Sequence, residues 1–517
     1  MPVTVSYPGL YVEELPLNAH TIAAAPTSIG AFIGYSHPYK TRLFDVAVRL
    51  FGFTDYETHF GGLCTSGLID PSLGRAVYEF FLNGGSDCWV VGLKPQYYGA
   101  TGNLLGAPDD ATFRFKTSIS TAPAGAGIEF LALEPADMVA LNVSITNVVP
   151  PGDVFDVVVT YGSRVETFRG VKLGGTPEEG PAGRINDKSA LVRVQALGGG
   201  FGATIGGPAA AALVAPPVPG FVSNTKAGDF IAVFGNDKSL DKVSVFNILA
   251  TPGNADVSVQ SAAMAFAERK RAFYIADPPP NAVADTTSGP FTIELAFANV
   301  PRSQNAALYF PYLQSTDPIT GAQIESPPSG YVAGIYARTD TRRGVWKAPA
   351  GMEATVKDTI GPVPSGLMTD PRHGVLNLAS INVLRKFSTG TVVFGARTTV
   401  ADNNAFAQSK YVPVRRMTLF IEQTLLANLG WVVFEPNDEP LWVAIRSSIE
   451  NFMLSLFSQG ALQGSKPSQA FQVLCDATTT TSDDQQNGIV NIVVAFAPLK
   501  PAEFVVIKIA HLAGQAA

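Results

Sequence analysis

Asp55, Glu57 and His59 occupy alternate positions of the segment DYETHF, and their side chains are of the types that bind metal ions. If the segment is a strand, all three lie on one face, where carboxylates and an imidazole together suit a divalent transition metal. None of the five histidines has a second histidine or a cysteine at ligand spacing. A solvated strand face is therefore the better interpretation, and we predict no metal site.

A second acidic segment, DDQQNGIVNIVV, partly imitates a calcium-binding loop. Asp483, Asn487 and Gly488 fit the first, fifth and sixth positions of such a loop. Gln485 replaces the acid or amide expected at the third position, and Val494 stands where a bidentate glutamate belongs. We interpret the segment as a polar hairpin-type loop.

A third group of acids, Glu435, Asp438 and Glu439 in FEPNDEP, raises the question of paired-carboxylate catalysis. The segment lies between strand-like and helix-like sequence, which favours a simpler role. Asn437 or Asp438 is expected to cap the following helix, and the acids complement its dipole.

Motifs that bind nucleotides or carry out hydrolysis are absent from the sequence. It contains no phosphate-binding loop of the G-x-x-x-x-G-K-[ST] type, no G-x-S-x-G elbow and no H-E-x-x-H. The glycines at 198–207 lack dinucleotide-binding spacing and are interpreted as a linker. These patterns therefore predict no catalytic residue and no cofactor.

The composition narrows the class of protein. Hydrophobic residues make up 46% of the 517 residues and charged residues 15%, with a net charge of −7. This indicates a folded chain of two to four domains without the basic face that nucleic-acid binding requires. Three scattered cysteines, Cys64, Cys88 and Cys475, do not make a disulfide framework. Without a visible signal sequence or membrane-spanning run, we expect synthesis in a reducing cytoplasm and no membrane insertion.

The first two thirds of the chain alternate between α/β and β patterns. A strand at 27–36, a helix at 72–85 and a strand at 87–93 predict an α/β layer that resumes after residue 220. Between them, 101–220 contains short alternating runs and closes with a Gly/Ala/Pro-rich segment. We predict a middle α/β domain from 21–100 and 221–345, interrupted by a β-rich insertion with a flexible edge.

From residue 346 onward the sequence predicts another α/β unit, assigned to 346–500. SINVLRKFSTGTVVFGART gives two strands, and two helices follow at 411–430 and 439–460. WVVFEPND between the helices is predicted to be a strand and turn. AFQVLCD is a strand, and the sequence after it gives two more, joined by APLKPAE. The fold class is therefore α/β, or α+β, with several domains.

Both ends of the chain have strand-forming sequence, at 1–20 and 501–517. A terminal segment is normally frayed unless something holds it, so each predicted strand needs a partner. The residues assigned to these terminal arms are Val3, Val5, Tyr7, Leu10, Tyr11, Val12, Phe504, Val505, Val506, Ile507 and Ile509.

Four sequence blocks carry a family resemblance. They are YPGLYVEE; AVYEFFLNGGSDCWVVGL; RGVWKAPAG with INVLRKFSTGTVVFGART; and KYVPVRRMTLFIEQTLLANLGWVVFEPNDEPLW with its continuation through GALQG and APLKPAEFVVIKI. Together they resemble the sheath protein of contractile phage tails and related contractile injection systems. Phe394 departs from the family pattern, which often has tryptophan before GART. The β-rich insertion matches no block.

The resemblance implies a structural subunit that is not an enzyme and that forms six-fold rings, stacked helically around an inner tube. Contraction of this sheath would drive the tube through a target envelope. The terminal arms would complete a sheet in the inner domain of neighbouring subunits. The implied partners are further copies of the chain, the inner tube protein, and the baseplate and tail terminator proteins. The implied location is a virion tail, or a contractile particle that is extracellular or cytoplasmic.

The resemblance also suggests an inner domain that faces the tube and an outer position for the insertion. Arg446 and Glu450, on the polar side of the long helix, are candidates for tube contact. Alternatively, they form an i,i+4 pair that contacts only itself. Two other functions stay open: a different tail structural protein such as a baseplate component, and a glycan-binding or hydrolytic tail module.

Overall fold

The computed structural model of the chain describes residues 20–99, 103–110, 113–214, 221–223, 226–284 and 292–504. These residues divide into two compact units. The large unit contains residues from 27–343 and 348–412, and the small unit contains residues from 20–26, 344–347 and 413–504.

The large unit holds most of the regular structure. Its strands are β1 (Gly30–Tyr35), β2 (Ala47–Leu50), β3 (Cys88–Leu93), β4 (Tyr97–Gly99), β5 (Leu104–Gly106), β6 (Lys116–Thr121), β7 (Ala126–Ala132), β8 (Leu141–Val149), β9 (Val154–Tyr161), β10 (Arg164–Lys172), β11 (Val192–Ala196), β12 (Ala209–Ala212), β13 (Phe221–Ser223), β14 (Ile248–Ala250), β15 (Phe273–Ala276), β16 (Ala306–Phe310), β17 (Leu313–Thr316), β18 (Gln323–Ser326), β19 (Gly361–Pro362), β20 (Ile381–Phe387) and β21 (Gly390–Val393). Its helices are α1 (Phe53–Phe60), α2 (Ser72–Asn83), α3 (Pro181–Ile185), α4 (Ala227–Val233), α5 (Val257–Lys270), α6 (Ile293–Phe297), α7 (Ser329–Arg343) and α8 (Asp370–Leu378).

An eight-stranded sheet forms the centre of the large unit, in the order β2-β3-β1-β14-β15-β16-β20-β21. The six strands from β3 to β20 in this order are parallel, and β2 and β21 are antiparallel at the two edges. Runs such as GAFIGY in β1 are buried on both faces, as a parallel sheet covered by helices requires. The predicted α/β layer is therefore present.

Helices cover both faces of this sheet. Ala31 and Ile33 of β1 belong to the hydrophobic core that also contains Phe230 of α4 and residues of α5. Phe32, between them, points to the opposite face, where its ring lies 5.2 Å from that of Phe80 in α2. Alternate residues of β1 thus pack against helices on the two opposite faces of the sheet.

The two helices α2 and α7 approach each other closely. A Cβ atom added at Gly330 would lie 2.5 Å from the Cα of Ala76, and one at Gly334 would lie 2.6 Å from the Phe80 carbonyl oxygen. Only glycine allows this separation, which explains two glycines inside a helix despite their low helix propensity.

The β-rich insertion lies between β3 and β14 and has its own core. Its two main sheets have the orders β10-β9-β8-β12 and β11-β7-β6. Along β9, Phe155, Val157 and Val159 alternate with more exposed residues and are fully buried. The Gly/Ala/Pro-rich segment that we predicted to be flexible is partly regular. Its residues Ala209–Ala212 form β12, which pairs with β8 and so satisfies backbone groups at the edge of that sheet.

The boundary expected at residue 346 also differs from the arrangement observed. Residues 348–412 belong to the large unit, where β20 pairs in parallel with β16 and β21 returns beside β20. The hairpin itself is as predicted, but its partner is the open edge of the large sheet. A local sequence pattern does not show which edge is open.

The small unit contains α9 (Val412–Asn428, from its second residue), α10 (Glu439–Ser458), α11 (Pro467–Ala470), β22 (Phe471–Leu474), α12 (Ser482–Gln486) and β23 (Val493–Phe496). α10 begins as predicted, because the Asp438 carboxylate accepts a hydrogen bond from the Leu441 N–H at 3.1 Å. Its Ile445, Ile449 and Met453 form one buried stripe in the core of this unit.

Three short segments differ from their predicted conformation. DYETHF is helix α1, since Tyr56 and Phe60 are buried at helical spacing. The DDQQ segment is helix α12, which starts from a capping box between Thr481 and Asp484. WVVFEPND begins within the 3-10 turn Gly430–Val432 and contains no strand. Within the described ranges, no helix is both long and apolar enough to cross a membrane.

Candidate functional site

The clearest open surface of the small unit is the edge of a two-stranded sheet. β22 and β23 pair antiparallel, and Ala497 N–H extends the pairing by donating to the Ala470 carbonyl at 2.8 Å. Because alternate residues of an antiparallel strand direct their backbone groups to opposite sides, Val494 and Phe496 direct theirs away from β22. No third strand joins this sheet in the part of the chain that the structure describes.

The core of the small unit holds this sheet in place. Val473 of β22 is buried in that core, and Phe471, Val494 and Phe496 pack against it from the edge. Val493, on the other side of the strand, is 47% exposed. Two strands alone are marginally stable, and an unpaired edge is a template for a further strand. The sheet is therefore anchored on one face, and no strand among the described residues pairs with the outer edge of β23.

The segments that lead to both chain ends are attached to this same unit. Near the beginning, Ala25 N–H donates to the Thr424 hydroxyl at 3.1 Å, and the His20 ring stacks on Trp431 at 3.9 Å. Near the end, Pro498 forms a bridge with Leu462. Both predicted arms therefore continue from the unit that carries the open sheet.

Most predicted arm residues lie outside the described residues. These are Val3, Val5, Tyr7, Leu10, Tyr11, Val12, Val505, Val506, Ile507 and Ile509. Phe504 is described, and its side chain is 73% exposed. This side chain is therefore an apolar surface that the described part of its own chain does not bury.

Arg446 and Glu450 lie on α10, as predicted, but they do not form an ion pair with each other in the described structure. Arg446 instead donates to the Cys475 carbonyl oxygen at 3.4 Å, which ties the helix to the residue after β22. Burial raises the pKa of the Cys475 thiol, and the Arg446 guanidinium acts in the opposite direction. Glu450 is exposed on the same helix.

The FEPND segment is a fixed loop that presents an aromatic residue. Asn437 accepts a hydrogen bond from the Trp442 indole at 2.9 Å and donates one to the Ile489 carbonyl at 3.0 Å. Phe434 is fully exposed and has φ of 74°, a conformation that non-glycine residues rarely adopt. Asp438 is used as the helix cap. The segment thus serves to shape the loop and the start of α10.

The predicted alternation of metal-binding side chains is lost in the helix α1. Asp55 and His59 are four residues apart on one side, whereas Glu57 is directed elsewhere. The Asp55 carboxylate accepts a hydrogen bond from the Phe51 N–H at 2.9 Å. Within the described ranges, no three or more His, Cys, Asp or Glu side chains are grouped to hold a metal.

A buried carboxylate in the large unit was not found from the sequence. Glu134 is 1% exposed and accepts hydrogen bonds from His37 Nε2 at 2.9 Å, Lys40 Nζ at 2.6 Å and Arg164 Nη2 at 2.9 Å. His37 Nδ1 accepts a hydrogen bond from the Tyr39 N–H, so Nε2 carries the proton of a neutral ring. Burial lowers the pKa of His37, which agrees with the neutral form.

The ionised state of Glu134 follows from these contacts. Burial alone opposes ionisation, but the hydrogen bond from His37 and the charge of Lys40 outweigh it and lower the pKa of Glu134 to about 2. In an open α/β sheet, ligands usually bind beyond the carboxyl ends of strands at the point where strand order reverses. Here His37 and Lys40, which follow β1 at that point, bind a glutamate of the protein's own insertion.

A second buried ion pair lies near the insertion. Arg75 of α2 donates to Asp317 at 2.9 Å, and both side chains are almost completely buried. Asp317 also accepts hydrogen bonds from the Thr65 and Thr320 hydroxyls. Ile319, in the same turn, packs against the core of the insertion. These contacts connect the insertion to the α/β sheet through satisfied polar groups.

Two family models match the chain. The phage tail sheath protein central domain matches residues 222–399, and the phage tail sheath C-terminal domain matches residues 405–510. A prophage major tail sheath protein of Pseudomonas aeruginosa is 29% identical over 273 residues, which are 51% of this chain and 65% of that protein. The tail sheath protein of Burkholderia phage BcepMu is 27% identical over 32% of this chain and 35% of its own length. These relatives are structural sheath proteins.

Solved structures share the fold over nearly the whole chain. The sheath of an extracellular contractile injection system, PVC, in the contracted state has a TM-score of 0.59 at 22% identity and 98% coverage of both chains. The helical sheath of the anti-feeding prophage in the contracted state has a TM-score of 0.57 at 22% identity, with 98% of this chain and 99% of that chain covered.

Proposed function

The chain belongs to the contractile tail sheath family, and from this premise we propose that it is a structural subunit that polymerises into a helical sheath around an inner tube. Contraction of that sheath drives the tube through a target envelope. The open edge of β23 is the observation that supports this proposal best, because it provides a site where an adjacent copy can be attached.

The attachment proposed is strand exchange between neighbouring copies. The arm segments 1–20 and 501–517 of one subunit pair with the β22–β23 sheet of others. An arm of roughly five paired residues makes several backbone hydrogen bonds, each contributing about 1 kcal/mol net. Contacts between different surfaces of identical subunits generate a helix when they do not close into a ring. The arms would keep subunits connected while their bodies reorient.

The remaining partners are proposed from the sheath family to which the chain belongs. We propose that the small unit faces the inner tube and that the β-rich insertion lies on the outside of the sheath. Arg446 and Glu450 on α10 are the proposed polar contacts with the tube. The subunits form six-fold rings that end at baseplate and terminator proteins, in a phage tail or another contractile particle.

The energy for contraction is proposed to come from the assembly itself. The sequence has no nucleotide-binding motif. If each subunit buries a few hundred Å² more surface after contraction, about 25 cal/mol per Å² gives several kcal/mol per subunit. Summed over a long helix, this is sufficient for mechanical work.

A proline substitution on the open edge tests the proposal. Val494→Pro removes an N–H that points away from β22, so we expect a folded protein that no longer forms tubes. Val493→Pro is the matched control, because its N–H points toward β22 and its loss should lower the melting temperature. Negative-stain microscopy and circular dichroism report the two effects. Normal tubes from Val494→Pro would contradict pairing at this edge.

Removal of residues 1–15 tests the N-terminal arm separately. We expect this variant to unfold cooperatively as a monomer and to form no tubes. Unchanged polymers would exclude the arm from assembly. If the intact chain stays monomeric over a wide range of salt concentrations, the sheath proposal itself fails.

A further inference from the structure

Glu79 of α2 is a buried carboxylate without hydrogen-bond partners. Its side chain is 1% exposed, and neither Oε1 nor Oε2 makes a hydrogen bond of good geometry, although the Tyr331 hydroxyl and the Asp358 carboxylate lie close to it. Leaving an ionised carboxylate in this state is energetically costly, so such groups are normally paired, protonated or bound to a metal. The structure therefore requires an explanation for how Glu79 is satisfied.

A loop covers Glu79 and places more oxygen atoms near it. Asn83, one turn along α2, donates to the Glu79 carbonyl at 3.0 Å and accepts a hydrogen bond from the Lys357 N–H at 2.8 Å. The next residue, Asp358, accepts a hydrogen bond at its carbonyl from the Tyr331 hydroxyl at 3.5 Å. Its exposed carboxylate is near enough to influence Glu79. The buried Glu79 carboxylate thus lies close to Asp358, whose side chain is exposed to solvent.

The charges around Glu79 do not balance it. Arg75, one turn earlier on α2, is the nearby cation, but it is already paired with Asp317 at 2.9 Å. Asp358 adds a second negative charge. Burial, and next the Asp358 carboxylate, raise the pKa of Glu79 to about 9. Glu79 is consequently neutral near pH 7 unless a cation replaces its proton.

We propose that Glu79 and Asp358 form a binding site for a divalent cation, with Ca²⁺ as the ion that the oxygen donors suit best. Two carboxylates, the Asp358 carbonyl and the Tyr331 hydroxyl are hard oxygen ligands in an irregular arrangement, which Ca²⁺ accepts more readily than Mg²⁺. Water from the exposed Asp358 side completes the coordination. The bound ion links α2 to the loop at 355–360 and replaces the proton of Glu79.

The direct test is equilibrium dialysis of the full-length protein with CaCl₂ at about pH 8, beside thermal unfolding with and without the ion. Glu79→Gln keeps the shape of the neutral side chain and removes the charge. We expect wild type to bind Ca²⁺ and to melt at a higher temperature with it, and Glu79→Gln to show neither effect. Binding to a folded state raises the melting temperature by mass action.

Two further variants keep the test independent of folding defects. Asp358→Asn lies on the exposed side, and asparagine tolerates the local φ of 58°, so it should fold normally and bind Ca²⁺ roughly tenfold more weakly. Glu57→Gln removes an exposed charge on α1 and should bind like wild type. No Ca²⁺ binding by wild type, or equal binding by wild type and Glu79→Gln, would overturn the proposal in favour of a protonated carboxyl.

Discussion

The side chain of Asn428 satisfies both backbone groups of Ala23, a residue 405 positions earlier in the chain. Ala23 N–H donates to Asn428 Oδ1 at 3.0 Å, and Asn428 Nδ2 donates to the Ala23 carbonyl at 2.8 Å. The amide thus imitates the edge of a strand and fixes the segment that leads to the N-terminal arm. The point from which that arm leaves is set by the C-terminal half of α9.

Replacing Asn428 by alanine should weaken assembly more than folding. The two hydrogen bonds are exposed and contribute about 1 kcal/mol each at most, so the melting temperature should fall only slightly. The segment around Ala23, which leads to the N-terminal arm, loses its anchor. Sedimentation velocity should therefore show fewer polymers and more monomers. Asn451→Ala, an exposed asparagine on α10, is the control and should assemble like wild type. Equal polymer yield from both variants would show that the anchor is dispensable.

Glu134→Gln should lower stability at neutral pH and much less in acid. The folded pKa of Glu134 is about 2, below the ordinary 4.5, so its contribution is present above about pH 4.5 and is lost as pH falls toward 2. Charge-assisted hydrogen bonds to this carboxylate make a loss of about 2 kcal/mol reasonable at pH 7. Urea unfolding at several pH values measures the difference. Glu353→Gln, which removes an exposed ion pair with Arg343, should have little effect.

When EDTA removes divalent ions, Glu79→Gln should raise the stability of the folded protein at alkaline pH, whereas Glu134→Gln lowers it at neutral pH. The folded pKa of Glu79 is raised to about 9 from 4.5, so wild type loses stability as pH rises through this interval, whereas the neutral variant does not. The variant should therefore be the more stable protein at about pH 8 and nearly equal at about pH 5. Denaturant midpoints at both pH values provide the measurement. A pH-independent difference would mean that Glu79 does not titrate as inferred.

Gly334→Ala should destabilise the large unit. The added Cβ would lie 2.6 Å from the Phe80 carbonyl oxygen, so α2 and α7 must separate, at a cost of about 1–3 kcal/mol. Gly374→Ala on α8 is the matched control, since a Cβ there has no neighbour within 4 Å and improves helix propensity by about 1 kcal/mol. Calorimetry should give melting temperatures that move in opposite directions.

Glu450→Lys tests the proposed tube contact. Because Glu450 is exposed on α10, reversal of its charge should leave the fold intact. Co-sedimentation of the polymer with the tube protein should decrease, and the effect should shrink at high salt as charges are screened. Glu178→Lys makes the same change in the β-rich insertion and should not alter co-sedimentation. Equal binding by both variants would remove Glu450 from the interface.

Elements with complete local signals could be predicted from the sequence. α2, β3 and α10 were predicted within a few residues, because apolar spacing, glycine stops and the Asp438 cap all act over short distances. WVVFEPND was predicted wrongly, since its apolar run suggests a strand while the hydrogen bonds of Asn437 hold it as a loop. The capping box at Thr481 was present in the sequence and was overlooked.

The candidate sites, in contrast, could be predicted from the sequence only in part. The open edge of β23 depends on how two predicted strands pair, and the sequence could suggest the strands but not their register or their free side. Glu134 and Glu79 have ordinary neighbours in the sequence. Their importance arises from His37, Arg164 and Asp358, which are brought to them from distant parts of the chain.

The sequence by itself determined the mixed α/β class, the strand-rich insertion and the helices with amphipathic stripes, because these depend on periodicity and local caps. The family also followed from blocks of residues that remain contiguous along the chain. Only the tertiary structure decided that 381–393 extends the large sheet, that Asn428 holds Ala23, and that Glu79 lies without a partner. Burial and long-range contacts are properties of the whole packed chain, and no local pattern specifies them.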